Sequence, residues 1–147
     1  MVRLIAFFLI TAVLLCGTVT AQSAGFGLGV IVGEPTGLSC KLWRGSNTAI
    51  DGVAAWSFGK GGALQLHSDY LFHNFNLIGG NIPIYYGIGG KIKFAEKSEA
   101  GVRIPFGIDF MLTEAPLDIF FELVPLVELV PATGFEVNGG IGIRYFF

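Results

Sequence analysis

Charge is scarce in this chain. Lys, Arg, Asp and Glu make up 14% of 147 residues, while 52% are hydrophobic. Soluble domains carry roughly 25% charged residues, so a soluble fold of this length would struggle to cover itself with polar groups. Long apolar runs are scarce too. Past residue 33 there is none, which argues against membrane-spanning helices there, since these need about 20 consecutive apolar residues. Basic clusters are absent and the net charge is −2, so nothing in the chain suits nucleic acid. Cysteine is limited to Cys16 and Cys40. With Cys16 in a predicted leader, the remaining chain has no partner for a disulfide and no Cys metal site. Cys40, between Leu38 and Leu42, reads as a small apolar residue. No His or carboxylate spacing suggests a metal site, and no cofactor is expected.

Glycine is plentiful at 22 residues, aromatics make up 14%, and apolar residues alternate with polar or small ones. A period of two is a strand period. It predicts eight strands: Gly25 to Gly33, Gly37 to Arg44, Thr48 to Phe58, Ala63 to His73, Ile82 to Phe94, Gly101 to Leu112, Leu117 to Val130 and Phe135 to Phe147. Short turns such as Glu34-Pro35-Thr36, Gly45-Ser46-Asn47 and Pro131 to Gly134 separate them. Pro105 and Pro125 fall inside predicted strands, where each removes a ladder hydrogen bond. A bulge at either would invert the facing beyond it, which leaves Glu128 the least certain interior residue. The Gly-x-Gly-x-Gly of Gly25 to Gly29 is not a phosphate loop, because no Lys-Ser/Thr and no helix pattern follow.

One face of every strand is apolar and rich in Phe, Ile and Leu. The other is sparse, with glycine, small residues and scattered charges of both signs. A water-exposed face would carry many more Lys and Glu. The expected arrangement therefore turns the apolar face to lipid and the sparse face into a narrow lumen. There Lys41, Lys91, Lys93, Arg103 and Arg144 would pair with Asp51, Asp69, Asp109, Glu122 and Glu136, because buried charges have to pair. Eight strands in an up-and-down antiparallel meander close into a transmembrane β-barrel, which satisfies every backbone group in lipid. Trp43, Tyr85, Met111, Phe120 and Phe146 are the large fillers, expected to lean over Gly87, Gly89, Gly107, Gly140 and Gly142 and plug the interior.

The segment Phe135 to Phe147 carries Val137, Gly139, Ile141, Ile143, Tyr145 and Phe147 on one face, aromatic at both ends. An ordinary amphipathic strand of a soluble sheet would alternate in the same way. The segment resembles the closing strand of bacterial outer-membrane β-barrels, which ends in Phe after alternating apolar residues. In that family it is the signal read by the assembly machinery, and the resemblance is carried here by Ile141, Ile143, Tyr145 and Phe147. The chain from residue 22 to 147 resembles the small eight-stranded barrels of the OmpA and OmpX kind. Gly33-Glu34-Pro35-Thr36-Gly37 and Ala115-Pro116-Leu117-Asp118-Ile119-Phe120 are similar to stretches of small bacterial outer-membrane proteins. The resemblance implies a fold, a bacterial outer-membrane location reached through the periplasm, and lipid and the assembly machinery as partners of a monomer. It implies no activity. The chain departs from the OmpX kind in having no long predicted loop.

Residues 1–21 read as a secretory signal peptide: Arg3, the apolar stretch Leu4 to Cys16, then Val19-Thr20-Ala21 before a new start at Gln22. An uncleaved anchor would need a longer apolar stretch, and lipidation at Cys16 would want a smaller residue than Leu15. The expected role is a structural or interaction barrel without catalysis. The alternatives are a small-solute channel and a lipid-modifying enzyme. His67 and Asp69 share a face beside Ser57 and Ser68, but Ser68 should point the other way, and the spacings of outer-membrane deacylases, acyltransferases and proteases are not matched. A hydrogen-bond network in the lumen is the favoured reading. His73, at a strand end, reads as an interface or loop residue.

Overall fold

The computed structural model describes residues 25–57 and 62–147. The predicted leader, Cys16, the cleavage site before Gln22 and the loop residues Gly59 to Gly61 lie outside them. Nine strand segments are described: β1 (Phe26–Gly33), β2 (Gly37–Trp43), β3 (Thr48–Ser57), β4 (Ala63–Asn74), β5 (Ile84–Phe94), β6 (Glu99–Arg103), β7 (Phe106–Met111), β8 (Leu117–Val130) and β9 (Gly134–Phe146). There is no helix among the described residues. Every pairing is antiparallel, and β9 returns to β1. β6 and β7 both lie between β5 and β8, so they are halves of one stave and the sheet closes as a ring of eight.

The expected unbroken sixth strand, Gly101 to Leu112, is therefore corrected. It starts at Glu99, stops at Arg103 and resumes at Phe106. Proline lacks the N–H that the ladder needs, and the gap falls at Ile104-Pro105. Adjacent staves stay joined across it: Gly87 N–H donates to Pro105 O (3.0 Å) and Ile104 N–H to Pro125 O (2.9 Å). Neither proline inverts the facing. Arg103 and Asp109, on the two sides of Pro105, are both buried, and Leu123 and Val127, on the two sides of Pro125, are both exposed. A register shift falls instead at Ala100/Gly101.

The β1–β2 turn is set by Gly33, whose φ of 140° suits glycine. Thr36 Oγ1 accepts the Gly33 N–H and donates to the Gly33 carbonyl, both at 3.0 Å. The longest described connection follows β4 and is shaped by Gly79 and Gly80, at φ 94° and 64°.

The stagger of the ring sets its width. Starting at Gly27, cross-strand partners run Lys41, Asp51, Asp69, Gly89, Arg103, Leu126 and Glu136. The direct β9 partner of Gly27 is Phe146, ten residues further along the same strand. With ordinary strand spacings, eight staves and that stagger give a tilt of about 40° and a backbone radius of about 8 Å. Such a cylinder is filled by interleaving glycine with bulk. A Cβ at Gly107 would enter the Tyr85 ring, at Gly142 the Phe120 ring, at Gly140 the Ile31 side chain, and at Gly89 the Asp69 carboxylate. Tyr85, Phe120 and Phe146 are buried, while Trp43 and Met111 are half-buried near the end of the barrel where β1 starts. Ile31, Val53, Ala55 and Phe120 form an apolar cluster within the ring.

Gly107→Ala is expected to destabilise the fold by about 1–3 kcal/mol through overpacking against Tyr85. In a Tyr85→Ala background most of that cost should vanish, giving a coupling energy of about 0.5–3 kcal/mol in a denaturant-unfolding cycle. Additive costs would show that the ring does not rest on Gly107.

Candidate functional site: a charged interior

Burial in this ring is inverted relative to a water-soluble protein. The buried set includes Lys41, Asp51, His67, Asp69, His73, Lys91, Arg103, Asp109, Asp118, Glu122 and Arg144. Leu, Ile, Val, Phe and Tyr of every stave form the exposed set, from Leu28, Leu38 and Ile50 through Tyr70, Ile88, Ile104 and Phe121 to Ile143. The alternation of each strand carries its charges to the concave side, and the tilt then decides which of them share a height.

Three groups result. Nearest the end where β1 starts, Lys41 Nζ donates to Asp109 Oδ2 at 2.6 Å, and Arg144 Nε donates to Asp118 Oδ1 at 3.0 Å. Arg144 Nη2 also reaches Asp109 at 3.4 Å, and the Arg144 guanidinium lies 3.8 Å over the Phe120 ring. His73 belongs here, which corrects the expectation of an interface or loop residue. It is 4% exposed, with Nε2 at 2.9 Å from Lys41 Nζ and 3.2 Å from Asp109 Oδ2. Its ring packs against Trp43 and Tyr85. A lysine ammonium only donates, so His73 Nε2 accepts from Lys41.

In the middle, Arg103 binds Asp69 through Nε and Nη2 (3.0–3.2 Å) and lies 3.7 Å from Glu122 Oε1. Tyr85 Oη donates to Glu122 Oε2 at 2.9 Å. Two-point guanidinium–carboxylate contact is the strongest pairing such groups make. Gly89 makes room for it, because the Asp69 carboxylate lies where a Cβ would stand. Asp51 is buried beside Asp69 but makes no ion pair with a described residue, and its Oδ1 has no partner.

At the opposite mouth Lys91 lies 3.4 Å from Glu128 and 3.8 Å from Glu99, and Lys93 lies 3.9 Å from Glu99. Glu128 thus stays on the inner face. Glu136 is the correction in this set. It shares the inner row with Leu126, yet it is exposed and pairs with no described residue. The ten-residue stagger lifts that row to the rim by the time it reaches β9. Asp118 joins the interior without having been assigned a partner from sequence. Its position four residues before Glu122, on the same face, was the available signal.

Ser68 points outward and donates to the Asp51 backbone carbonyl at 2.9 Å. No hydrogen bond joins a described serine to His67 or His73, and neither His67 ring nitrogen has a hydrogen-bond partner among the described residues. No group of His, Cys, Asp and Glu among the described residues fits a metal ion. Ile141, Ile143, Tyr145 and Phe147 form an exposed outward row. Tyr145 meets Phe147 edge-on at 5.2 Å, and Phe147 N–H donates to Phe26 O at 2.9 Å.

The fold and its interior define the class: a closed, eight-staved antiparallel β-barrel with charges inside and apolar side chains outside. No family model, curated protein or solved structure matches this chain.

Arg103→Met leaves Asp69 and Glu122 buried without their cation and is expected to cost about 3–5 kcal/mol of stability. Glu136→Gln, at the rim, should stay within about 0.5 kcal/mol of the parent. Equilibrium unfolding in urea separates the two, and equal effects would contradict the three-level arrangement.

Proposed function

We propose that the chain is a small bacterial outer-membrane β-barrel with a structural or interaction role and a lumen closed by its own side chains, and that it carries out no catalysis. The observation that supports this most is the inversion of burial. A water-facing wall built almost wholly of Leu, Ile, Val and Phe would be a large association surface, whereas hydrocarbon is its natural surround. A closed ring leaves no strand edge unpaired, which lipid requires and which suits a monomer. Outward aromatics stand at both ends: Trp56, Phe94 and Phe135 at one, and Phe72, Tyr86, Tyr145 and Phe147 at the other. They suit the two membrane interfaces. The row Ile141, Ile143, Tyr145 and Phe147 is then the surface offered to the assembly machinery, and residues 1–21 the export signal.

The plugged interior follows from the radius and from the bulk seated over Gly107, Gly140 and Gly142. The channel reading draws on a different observation. Ser39 Oγ, Gln65 Nε2, the His67 ring nitrogens and Arg103 Nη1 have no hydrogen-bond partner among the described residues, and such atoms call for water.

Ile88→Arg, outward and central, is expected to cost about 2–4 kcal/mol in vesicles, while the inward, mouth-level Gln65→Arg should cost less than about 1 kcal/mol. Recovery of the protein in the aqueous fraction without detergent, with Ile88→Arg as stable as the parent, would remove the membrane reading. Planar-bilayer recordings test the plug. No steps above the empty-bilayer leak are expected, and stable ohmic steps of porin size would put the channel in its place.

A further inference from the structure

Two carboxyls meet inside the barrel with no cation between them. Asp51 and Asp69 are direct cross-strand partners on β3 and β4, 4% and 1% exposed. Side chains at opposed positions stand about 4.5–5.5 Å apart at Cβ, where like charges repel. While both are ionised, neither can offer the other a hydrogen bond, because a carboxylate only accepts. A proton on one of them turns that repulsion into a hydrogen bond from the acid to the carboxylate.

The count of buried charges gives the same answer independently. Away from the mouth where Lys91 pairs with Glu128 and Glu99, the interior holds three buried cations, Lys41, Arg103 and Arg144, against five buried acids, Asp51, Asp69, Asp109, Asp118 and Glu122. Asp69 and Glu122 share Arg103, while Asp109 and Asp118 share Lys41 and Arg144. Asp51 is left over, with no ion pair to a described residue and an unpartnered Oδ1. The groups facing it are Lys41 from β2, Asp69 from β4, and Glu122 and Arg144 from β8 and β9. Lys41 is its cross-strand neighbour, but the ammonium is committed to Asp109 at 2.6 Å. His67, the other titratable group of this region, lies beyond Asp69, with Nε2 at 4.0 Å from Asp69 Oδ2. A buried carboxylate with no cation of its own is costly to keep ionised, and such groups neutralise instead.

We propose that the Asp51–Asp69 pair is a proton-binding site, with Asp51 in the acid form donating to the Asp69 carboxylate, which is held from its other side by Arg103. The proton comes from water as the barrel closes and removes one of the negative charges by which the interior's acids exceed its cations. A single alkali cation at Asp51 Oδ1 would offset the same charge, and the experiment separates the two. The inference concerns the inside of the ring and does not depend on what surrounds its outer wall.

The test is infrared spectroscopy of the refolded protein in detergent at neutral pH, reading the C=O stretch of a protonated carboxylic acid. A band is expected in the parent that shifts on ¹³C labelling of the aspartate carboxyls and moves down in D2O. It should disappear in Asp51→Asn, a neutral replacement of the same shape whose unfolding midpoint stays at or above the parent value. In Asp69→Asn the midpoint falls, because Arg103 loses its carboxylate. The aspartate label reads the parent protein directly, so a poorly folding variant does not remove the test. No aspartic acid band in the parent, or a band that persists in folded Asp51→Asn, overturns the proposal. So does a midpoint that rises with sodium, potassium or lithium at constant ionic strength in the parent but not in Asp51→Asn, which would assign the site to an alkali cation.

Discussion

Closure of eight staves with a ten-residue stagger is the constraint on which the rest of this structure depends. It fixes the radius at about 8 Å, and that radius leaves no room for two large side chains facing each other at the same height. Bulk therefore has to alternate with glycine around the wall. Tyr85 over Gly107, Phe120 over Gly142 and Ile31 over Gly140 are the result. Glycine costs backbone entropy in a strand, and here it is set against close packing along the axis.

The same stagger sorts the charges. Lys41, Asp51, Asp69, Arg103 and Glu136 are all members of one cross-strand row. In an untilted ring they would form a single belt. Tilted by about 40°, the row climbs from one mouth towards the other. Lys41 ends beside Asp109, Arg103 beside Asp69, and Glu136 at the rim. Removing one member of a buried pair strands the other, so each level makes its own demand on the sequence. The middle level is the one whose acids outnumber its cations.

Pro105 shows how a local rule and a global one are reconciled. The missing N–H breaks a stave into β6 and β7, yet β5 and β8 bridge the break through Gly87, Ile104 and the Pro105 and Pro125 carbonyls. The facing survives because the interruption does not change the residue count on either side of it. Pro125, turned outward in an unbroken β8, disturbs the ladder less.

Period-two alternation was enough, from sequence alone, to set the strands within a few residues, the number of staves, the inward and outward faces, and the candidates for interior charge. Each of these depends only on the pleat, which every strand carries locally. Height along the axis is not local. It comes from the register of all eight staves together, so only the tertiary structure could place Glu136 at the rim and bring Asp118 against Arg144. The same register seated His73 between Lys41, Trp43 and Tyr85 and set Asp51 against Asp69 without a cation. The sequence determined which side chains turn inward, and the stagger of the closed ring decided which of them meet.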